Sequence, residues 1–211
     1  MEFGRFITFE GGEGCGKSTQ IRLLEQRLRS AGKDVLLVRE PGGTALAEKI
    51  RSLVREESDD PPNSRAETLL FLASRAQVVE NVIRPALASG VWVLCDRFAD
   101  STFAYQGFGR GLDLEELKQL NFFATGGLKP DKTILLNVSA EVSEKRMRAR
   151  ESATNTSADR MEKAGDDFHF RLRQGFLDLA AAEPERFAVV QAEGGIEEVE
   201  DAVWNSIRPM L

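Results

Sequence analysis

The stretch Gly11–Ser18 reads GGEGCGKS and matches the pattern G-x-x-x-x-G-K-[ST] of a phosphate-binding loop. The apolar run Phe6–Phe9 precedes it, and a helical pattern from Thr19 follows it. In this strand, loop and helix order, the glycines let backbone N–H groups surround one phosphate, and the helix N-terminus adds positive charge. We expect Lys17 to bridge phosphate oxygens and the Ser18 hydroxyl to be a ligand of Mg²⁺. The stretch therefore predicts a site for a nucleoside triphosphate.

The expected contacts with the triphosphate come from the loop itself and the residue after it. They are Gly11, Gly12, Glu13, Gly14, Cys15, Gly16, Lys17, Ser18 and Thr19. Cys15 stands where the loop needs a small side chain, so we expect it to pack inside the loop rather than react.

Outside the loop, apolar runs alternate with helical patterns. The runs are continuous, which is typical of parallel strands covered on both faces. They are Phe6–Phe9, Val35–Val38, Val91–Cys95, Thr133–Val138 and Phe187–Val190. The helical patterns are Thr19–Ser30, Ala45–Arg55, Ser64–Ala88, Asp113–Ala124, Ser139–Arg150 and about Phe168–Ala182. We predict an α/β fold, a five-stranded mostly parallel sheet flanked by helices, in a single domain spanning residues 1–211.

The third helical pattern carries two local expectations. Ser64 and Glu67 have the spacing of a capping box, in which the two side chains satisfy N–H groups at the start of a helix. The apolar positions that follow predict a broad buried face. They include Leu69, Leu70, Leu72, Ala73, Ala76 and Val79.

Composition excludes several classes of protein. The chain has 28 Lys and Arg against 34 Asp and Glu, and this acidic balance argues against a nucleic-acid binder. Cys15 and Cys95 are far apart, which speaks against a disulfide framework or a zinc site. No stretch approaches the ~18 apolar residues of a membrane span, and Met1–Gly14 does not resemble a signal peptide. We expect a cytoplasmic protein.

A second chemical signal closes the third apolar run, where VWVLCDRF places Asp96 and Arg97 at the end of a predicted strand. The carboxyl ends of parallel strands face the ligand crevice of an α/β sheet. Asp96 would hold Mg²⁺ through water. A surface salt bridge at the strand end is the alternative interpretation.

The phosphate loop alone does not separate a GTPase switch from a small-molecule kinase. A GTPase needs a guanine-reading segment such as N-K-x-D, which Asn137–Lys145, reading NVSAEVSEK, does not supply. A kinase needs an acceptor pocket, arginines and a lid. Phe71 and Arg75 share a helix face and suit a stacked base, although a core ring and a solvated charge fit the same pattern. Further acceptor-side cations are Arg39, Arg51 and Arg97, and a lid at about residues 146–162 carries Arg146, Arg148, Arg150 and Arg160.

Four strings together resemble the bacterial thymidylate kinase family. They are FEGGEGCGKST at Phe9–Thr19, REPGGT at Arg39–Thr44, DRFADSTFAYQGFGRG at Asp96–Gly111 and LKPD at Leu128–Asp131. The resemblance covers nearly the whole chain in a consistent order. It implies transfer of the γ-phosphate of ATP to dTMP, giving dTDP and ADP, with Mg²⁺ and in a homodimer.

For the base and sugar of dTMP, the resemblance implies a role for each matching position. Phe71 matches the ring that stacks on thymine, and Arg75 matches the arginine at the edge of the base. Glu13 matches the acid near the 3′-hydroxyl of the deoxyribose. The positions that line the nucleoside are Thr102, Tyr105 and Gln106.

For the phosphates, Arg97 matches the arginine that bridges donor and acceptor, and Arg51 matches a contact of the acceptor phosphate. Arg150 matches the lid arginine. The lid is slightly long, so Arg160 is the second candidate for the cation that reaches the transferred phosphoryl group.

Three other functions stay open on the sequence. A deoxynucleoside kinase would use Glu13 or Glu10 as the acid that accepts a proton from a neutral hydroxyl. Another P-loop nucleoside monophosphate kinase would differ only in its acceptor. A non-catalytic nucleotide-binding module would leave the many phosphate-facing cations without a purpose.

Overall fold

A computed structural model describes residues 3–56, 58–154 and 165–211, and these residues form a five-stranded sheet. The strands lie in the order β2-β3-β1-β4-β5, and every pairing is parallel. Their bounds are Phe6–Glu10 (β1), Val35–Arg39 (β2), Trp92–Asp96 (β3), Lys132–Asn137 (β4) and Phe187–Gln191 (β5). The predicted fold class is confirmed.

Helices connect and flank the strands. The α-helices are Lys17–Ser30 (α1), Ala45–Arg55 (α2), Ser64–Val78 (α3), Arg84–Ala88 (α4), Ala99–Thr102 (α5), Leu114–Thr125 (α6), Ala140–Thr154 (α7), Asp166–Ala182 (α8) and Ile196–Ile207 (α9). Two π-helical segments, Val79–Ile83 and Phe103–Gly109, continue α3 and α5, and a short 3₁₀ turn covers Arg208–Met210. The sequence patterns did not predict α9 or the helical run that starts with α5.

Apolar cores lie on both faces of the sheet, which explains why the strands are continuously apolar. On one face, alternate residues of β1, β3 and β4 pack against α1 and α9, with Phe9, Leu28 and Ile207 fully buried. On the other face, one core forms against the end of α3 and the first π-helical segment. A second core there joins Tyr105 and Leu135 to α8. The strand ends between these layers are therefore held rigidly.

Both local expectations for α3 need correction. Asn63, not Ser64, caps the helix, because its side-chain oxygen accepts hydrogen bonds from the backbone N–H groups of Arg65 and Ala66. Asparagine reaches these N–H groups as well as serine does, so the cap lies one residue earlier than predicted. Glu67 turns inward instead and is 1% exposed.

The predicted buried face of α3 is also partly wrong, since Leu69 is 56% exposed and Ala73 is exposed. Helix α3 buries four polar side chains instead, two near its start and two near its end. These are Glu67, Thr68, Ser74 and Arg75. Because α3 turns these polar side chains towards the interior, part of its apolar face is exposed.

Candidate active site

A cleft of about 510 Å³ opens at the carboxyl ends of the strands, where the phosphate loop, α2, α3 and α5 meet. It brings together most of the predicted site residues. They are Glu13, Gly14, Gly16, Lys17, Ser18, Thr19, Arg39, Arg51, Phe71, Arg75, Asp96, Arg97, Thr102, Tyr105, Gln106 and Arg150. Gly11, Gly12 and Cys15 belong to the loop but are not part of the cleft wall. Arg160 lies outside the described residues, as does the second half of the predicted lid.

The phosphate loop folds around Lys17. Its Nζ atom donates to the backbone oxygens of Gly11 (3.0 Å) and Gly12 (2.8 Å) and lies 3.4 Å from the Sγ atom of Cys15. Gly16 has a φ of 97°, a left-handed conformation that a side chain would strain, and it stands directly before α1. Cys15 is buried, in agreement with its expected packing role. The loop thus holds an ammonium group at the N-terminus of a helix, ready to face phosphate.

Ser18 and Asp96 meet at the mouth of this loop. The hydroxyl of Ser18 donates to Oδ2 of Asp96 at 3.5 Å. A hydroxyl and a carboxylate are hard oxygen donors, the type that Mg²⁺ prefers, so the pair fits the predicted metal site.

Arg97 follows Asp96 with a φ of 70°, the one positive φ among the described residues other than glycine. Its guanidinium donates to the oxygen of Gly11 (3.0 Å), pairs with Glu13 (2.5 Å) and lies 4.9 Å from the centroid of the Tyr105 ring. Burial raises the pKa of Glu13, but the charges of Arg97 and Lys17 outweigh it and lower that pKa to about 2. A cationic group therefore stands between the loop and the rest of the cleft.

Glu10 anchors the turn that carries Arg97. This carboxyl lies at the end of β1, is fully buried and accepts hydrogen bonds from the backbone N–H groups of Phe98 (2.8 Å) and Ser101 (3.3 Å). The hydroxyl of Ser101 donates to it at 2.6 Å. Burial, reinforced by the charge of Asp100, raises the pKa of Glu10 to about 7. The strained backbone at Arg97 is thus fixed by a side chain from the neighbouring strand.

Arg75 forms the centre of a buried network on the other side of the cleft. It is 3% exposed, so it is not a solvated charge on the helix surface. Its Nε donates to Glu40 (2.7 Å), its Nη1 to Thr102 (2.7 Å) and Asn121 (2.6 Å), and its Nη2 to the backbone oxygen of Phe98 (2.9 Å). These bonds engage four of the five N–H groups that a guanidinium has. Burial raises the pKa of Glu40 in spite of the charge of Arg75.

The remaining predicted arginines occupy different parts of the cleft wall. Arg39 pairs with Glu48 at 2.9 Å, and Arg51 donates to the backbone oxygen of Pro41 at 2.9 Å. In the lid segment, Arg146 and Arg150 line the cleft. Arg148 pairs instead with Glu144 on the surface of α7 and is not part of the cleft wall.

Comparison with known proteins places this cleft in a family. The model of the thymidylate kinase family matches residues 9–203. A curated thymidylate kinase from Synechococcus sp. (strain JA-2-3B'a(2-13)) is 50% identical over 206 residues, which cover 98% of this chain and 95% of the relative. A second, from Geotalea daltonii, is 49% identical and covers 97% and 96% of the two chains. The chain belongs to the thymidylate kinase family.

The crystal structure of thymidylate kinase from Ehrlichia chaffeensis supports the same membership. It matches with a TM-score of 0.78 and 33% sequence identity, covering 99% of this chain and 100% of that one. The family resemblance, the P-loop kinase fold and the predicted enzyme class are confirmed. A deoxynucleoside kinase and a non-catalytic module are not favoured.

Sequence reasoning missed several side chains that organise this thymidylate kinase cleft, and it named Glu10 only as a possible acid of a deoxynucleoside kinase. Glu40 and Ser101 line it, while Glu10 and Asn121 support arginines within it. One signal was readable, because Glu10 ends its strand and Glu40 directly follows another, at the same edge of the sheet as Asp96. The buried amide of Asn121 gave no signal in a helical pattern that also carries exposed Phe122 and Phe123.

Proposed function

We propose that this chain transfers the γ-phosphate of ATP to dTMP, giving dTDP and ADP, within the cleft at the strand ends. The observation that carries the proposal is the position of Arg97 in the cleft. Arg97 donates to the phosphate loop, and the same cleft is lined by the buried Arg75 and by the ring of Phe71. Phosphoryl transfer between two nucleotides needs a cation that lies between the two anionic substrates.

On the donor side, the loop Gly11–Ser18 and Lys17 bind the phosphates of ATP. Ser18 and Asp96 would hold Mg²⁺, which when bound neutralises charge on the phosphates. Lys17 and Arg97 stabilise the charge that develops on the transferred group. The attacking oxygen of dTMP is already anionic, so the reaction needs no general base.

On the acceptor side, Phe71 is half-buried in the cleft wall and offers its face for stacking with thymine. Arg75, fixed by its buried partners, faces the edge of the base. Arg39 and Arg51 bind the acceptor phosphate, and Thr102 and Gln106 line the nucleoside. Glu13 and Tyr105 meet the sugar, where the tyrosine ring crowds the place of a 2′-hydroxyl.

We further propose that residues 1–211 form a single kinase domain with a lid at about 146–162. Arg150 lines the cleft, and its charge contributes to the low pKa of Glu13, which puts Arg150 near the loop.

Steady-state kinetics of Arg150→Ala and Arg160→Ala would identify the lid cation. The one that acts on the transferred phosphoryl group should lower kcat with little change in KM for dTMP.

A homodimer is the assembly we propose. Helix α3 packs between α2 and α6, and each of the three helices exposes large apolar side chains. They are Leu46, Leu53, Leu69, Leu114, Leu120, Phe122 and Phe123. Apolar side chains on three adjacent helices suit a protein interface better than scattered surface residues do. Light scattering of Leu69→Lys should show a monomer, and an unchanged dimer would exclude this face.

A cytoplasmic location is also part of the proposal. Both Cys15 and Cys95 are buried free thiols, as expected in a reducing compartment. Among the described residues, no helix has the length and apolar character needed to cross a bilayer.

The test is ADP release from ATP and Mg²⁺ with dTMP, dUMP, dCMP, dGMP, AMP and thymidine in parallel. We expect a high rate with dTMP, a lower one with dUMP, because a methyl group contributes only about 1–3 kcal/mol of discrimination, and none with thymidine. Equal background rates for all monophosphates would overturn the acceptor assignment. Activity on thymidine would point to a nucleoside kinase.

A further inference from the structure

Gln106 has one end of its amide fixed by a carboxylate behind the cleft wall. Gln106 is 2% exposed and lines the cleft, whereas Glu67 is 1% exposed and does not line it. Nε2 of Gln106 donates to Oε1 of Glu67 at 3.1 Å. Arg110 donates to both oxygens of the same carboxyl group, from Nε to Oε1 at 3.4 Å and from Nη2 to Oε2 at 3.3 Å.

A carboxylate fixes the orientation of an amide group that is hydrogen-bonded to it. An ionised carboxyl group only accepts hydrogen bonds, so the NH₂ end of Gln106 must face Glu67 and the carbonyl oxygen Oε1 must face away. Arg110, which can only donate, faces the same carboxyl group and also requires it to accept. Within the described ranges, no hydrogen bond to Oε1 of Gln106 is formed, and this oxygen is not among the fully buried atoms without a partner. The cleft therefore presents a hydrogen-bond acceptor at this position.

The acceptor at Gln106 complements the donors of Arg75. Thymine presents a carbonyl oxygen, O4, beside a donor, N3–H, whereas cytosine presents an amino group beside an unprotonated N3 that accepts. A guanidinium can only donate, and the fixed oxygen of Gln106 can only accept. The pair matches the thymine pattern, and both groups oppose the cytosine pattern.

We propose that Glu67 is a positioning residue for base specificity. By fixing the amide of Gln106, it presents Oε1 to the N3–H group of thymine and excludes dCMP. The inference rests on the proposed function, because it assigns the base of dTMP to the pocket formed by Phe71, Arg75 and Gln106.

The test compares kcat/KM for dTMP and dCMP in the wild-type chain and in Glu67→Gln. A glutamine at position 67 can donate or accept, so the amide of Gln106 is free to turn and offer N–H to cytosine N3. We expect the dTMP to dCMP ratio to fall by about tenfold, the scale of one hydrogen bond in a buried site, while Arg75 retains part of the discrimination. Asp113→Asn is the matched control, since asparagine caps α6 as aspartate does, and its ratio should be unchanged.

A double-mutant cycle separates positioning from a general structural effect. Gln106→Leu should itself reduce the ratio, and adding Glu67→Gln to it should not change the ratio further. A folded Glu67→Gln with the wild-type ratio, or an effect of Glu67→Gln that persists in the Gln106→Leu background, overturns the proposal. If circular dichroism shows that Glu67→Gln does not fold, Gln106→Leu decides, and an unchanged ratio there overturns it. Failure of the proposed function is distinct, because the wild-type chain would then not turn over dTMP.

Discussion

The donor and acceptor sides of the cleft are built in opposite ways. The phosphate loop on the donor side is one continuous stretch, Gly11–Thr19, in which backbone oxygens hold Lys17, and Asp96 and Arg97 are added to it from the end of β3. The acceptor side is assembled around Arg75 by side chains from distant parts of the chain, with partners at 35, 27 and 46 residues' separation. A continuous loop can exchange its own contacts for phosphate, whereas an assembled network must be in place before the substrate arrives.

This difference predicts how each side responds to substitution. Loss of Lys17 should reduce catalysis and leave the fold intact, because its partners are the backbone oxygens of Gly11 and Gly12 and the Sγ atom of Cys15 rather than a buried carboxylate. Loss of Arg75 should also destabilise the fold, because Glu40 is 4% exposed at its side chain and would keep a buried charge without a partner.

The largest effect is expected for Arg75→Met. Breaking a buried ion pair from one side reduces stability by about 3–5 kcal/mol, and we expect that loss in the free energy of unfolding measured with urea. Adding Glu40→Gln should restore part of it, because the buried charge is removed. Arg148→Met is the control, since Arg148 and its partner Glu144 are 74% and 58% exposed and surface pairs contribute about 1 kcal/mol or less. Equal losses for Arg75 and Arg148 would contradict the contrast between the two sides.

On the donor side, Lys17→Ala should reduce kcat by ~100-fold or more with a normal unfolding transition, the scale of losing a preorganised charge at the transition state. Arg97→Ala should give a similar reduction. Lys118→Ala, which changes a lysine that is 70% exposed, is the control and should leave turnover unchanged. Near-normal turnover in Lys17→Ala or Arg97→Ala would exclude the assigned role.

The contrast also explains what the sequence could predict. The loop and the strands are contiguous patterns, so the sequence could predict that Lys17, Ser18 and Asp96 lie together, as they do in the cleft. The acceptor network was not, because a buried arginine on a helix has the same spacing as a solvated one. Glu67 shows the limit most clearly, since its distance from Ser64 suggested a capping box while its side chain lies against Gln106.

A readable signal did exist at the ends of the strands. Glu10 ends β1 and Glu40 follows β2, at the edge where Asp96 was assigned a function on the same grounds. Carboxyl ends of parallel strands form the ligand crevice, so an acid there is a candidate whenever the neighbouring strand already carries one. What the pattern does not give is the partner of each acid, because Ser101 reaches Glu10 and Arg75 reaches Glu40 only after the chain has folded.

Glu10→Gln tests the donor side without removing any of its cations, because Glu10 only holds the turn that carries Arg97. Both carboxyl oxygens of Glu10 accept hydrogen bonds from Phe98 or Ser101. In glutamine one of these oxygens is replaced by an NH₂ group, which cannot accept, so part of this set of bonds is lost. We expect kcat to fall by about tenfold with KM for dTMP little changed, because Arg97 is misplaced rather than removed. Glu115→Gln, which changes a side chain of α6 that is 78% exposed, is the control. A changed KM with an unchanged kcat would show that Glu10 supports binding instead.

The smallest effect concerns the pair of Glu13 and Arg97, and it depends on pH. The pKa of Glu13 is about 2 in the folded chain against an ordinary value of 4.5, so between these values the unfolded state binds more protons. Stability from this group is therefore fully present above about pH 4.5 and is lost as the pH falls towards 2.

For a partly exposed pair we expect a difference in the free energy of unfolding on the order of 1 kcal/mol between wild type and Glu13→Gln, measured without nucleotide. That difference should shrink towards zero with falling pH, and its pH dependence should be weaker when Arg97→Met is present in both chains, because Arg97 is the largest of the charges that lower the pKa of Glu13. A difference that stays constant from pH 7 to pH 2 would mean that the carboxylate charge of Glu13 is not what the fold uses.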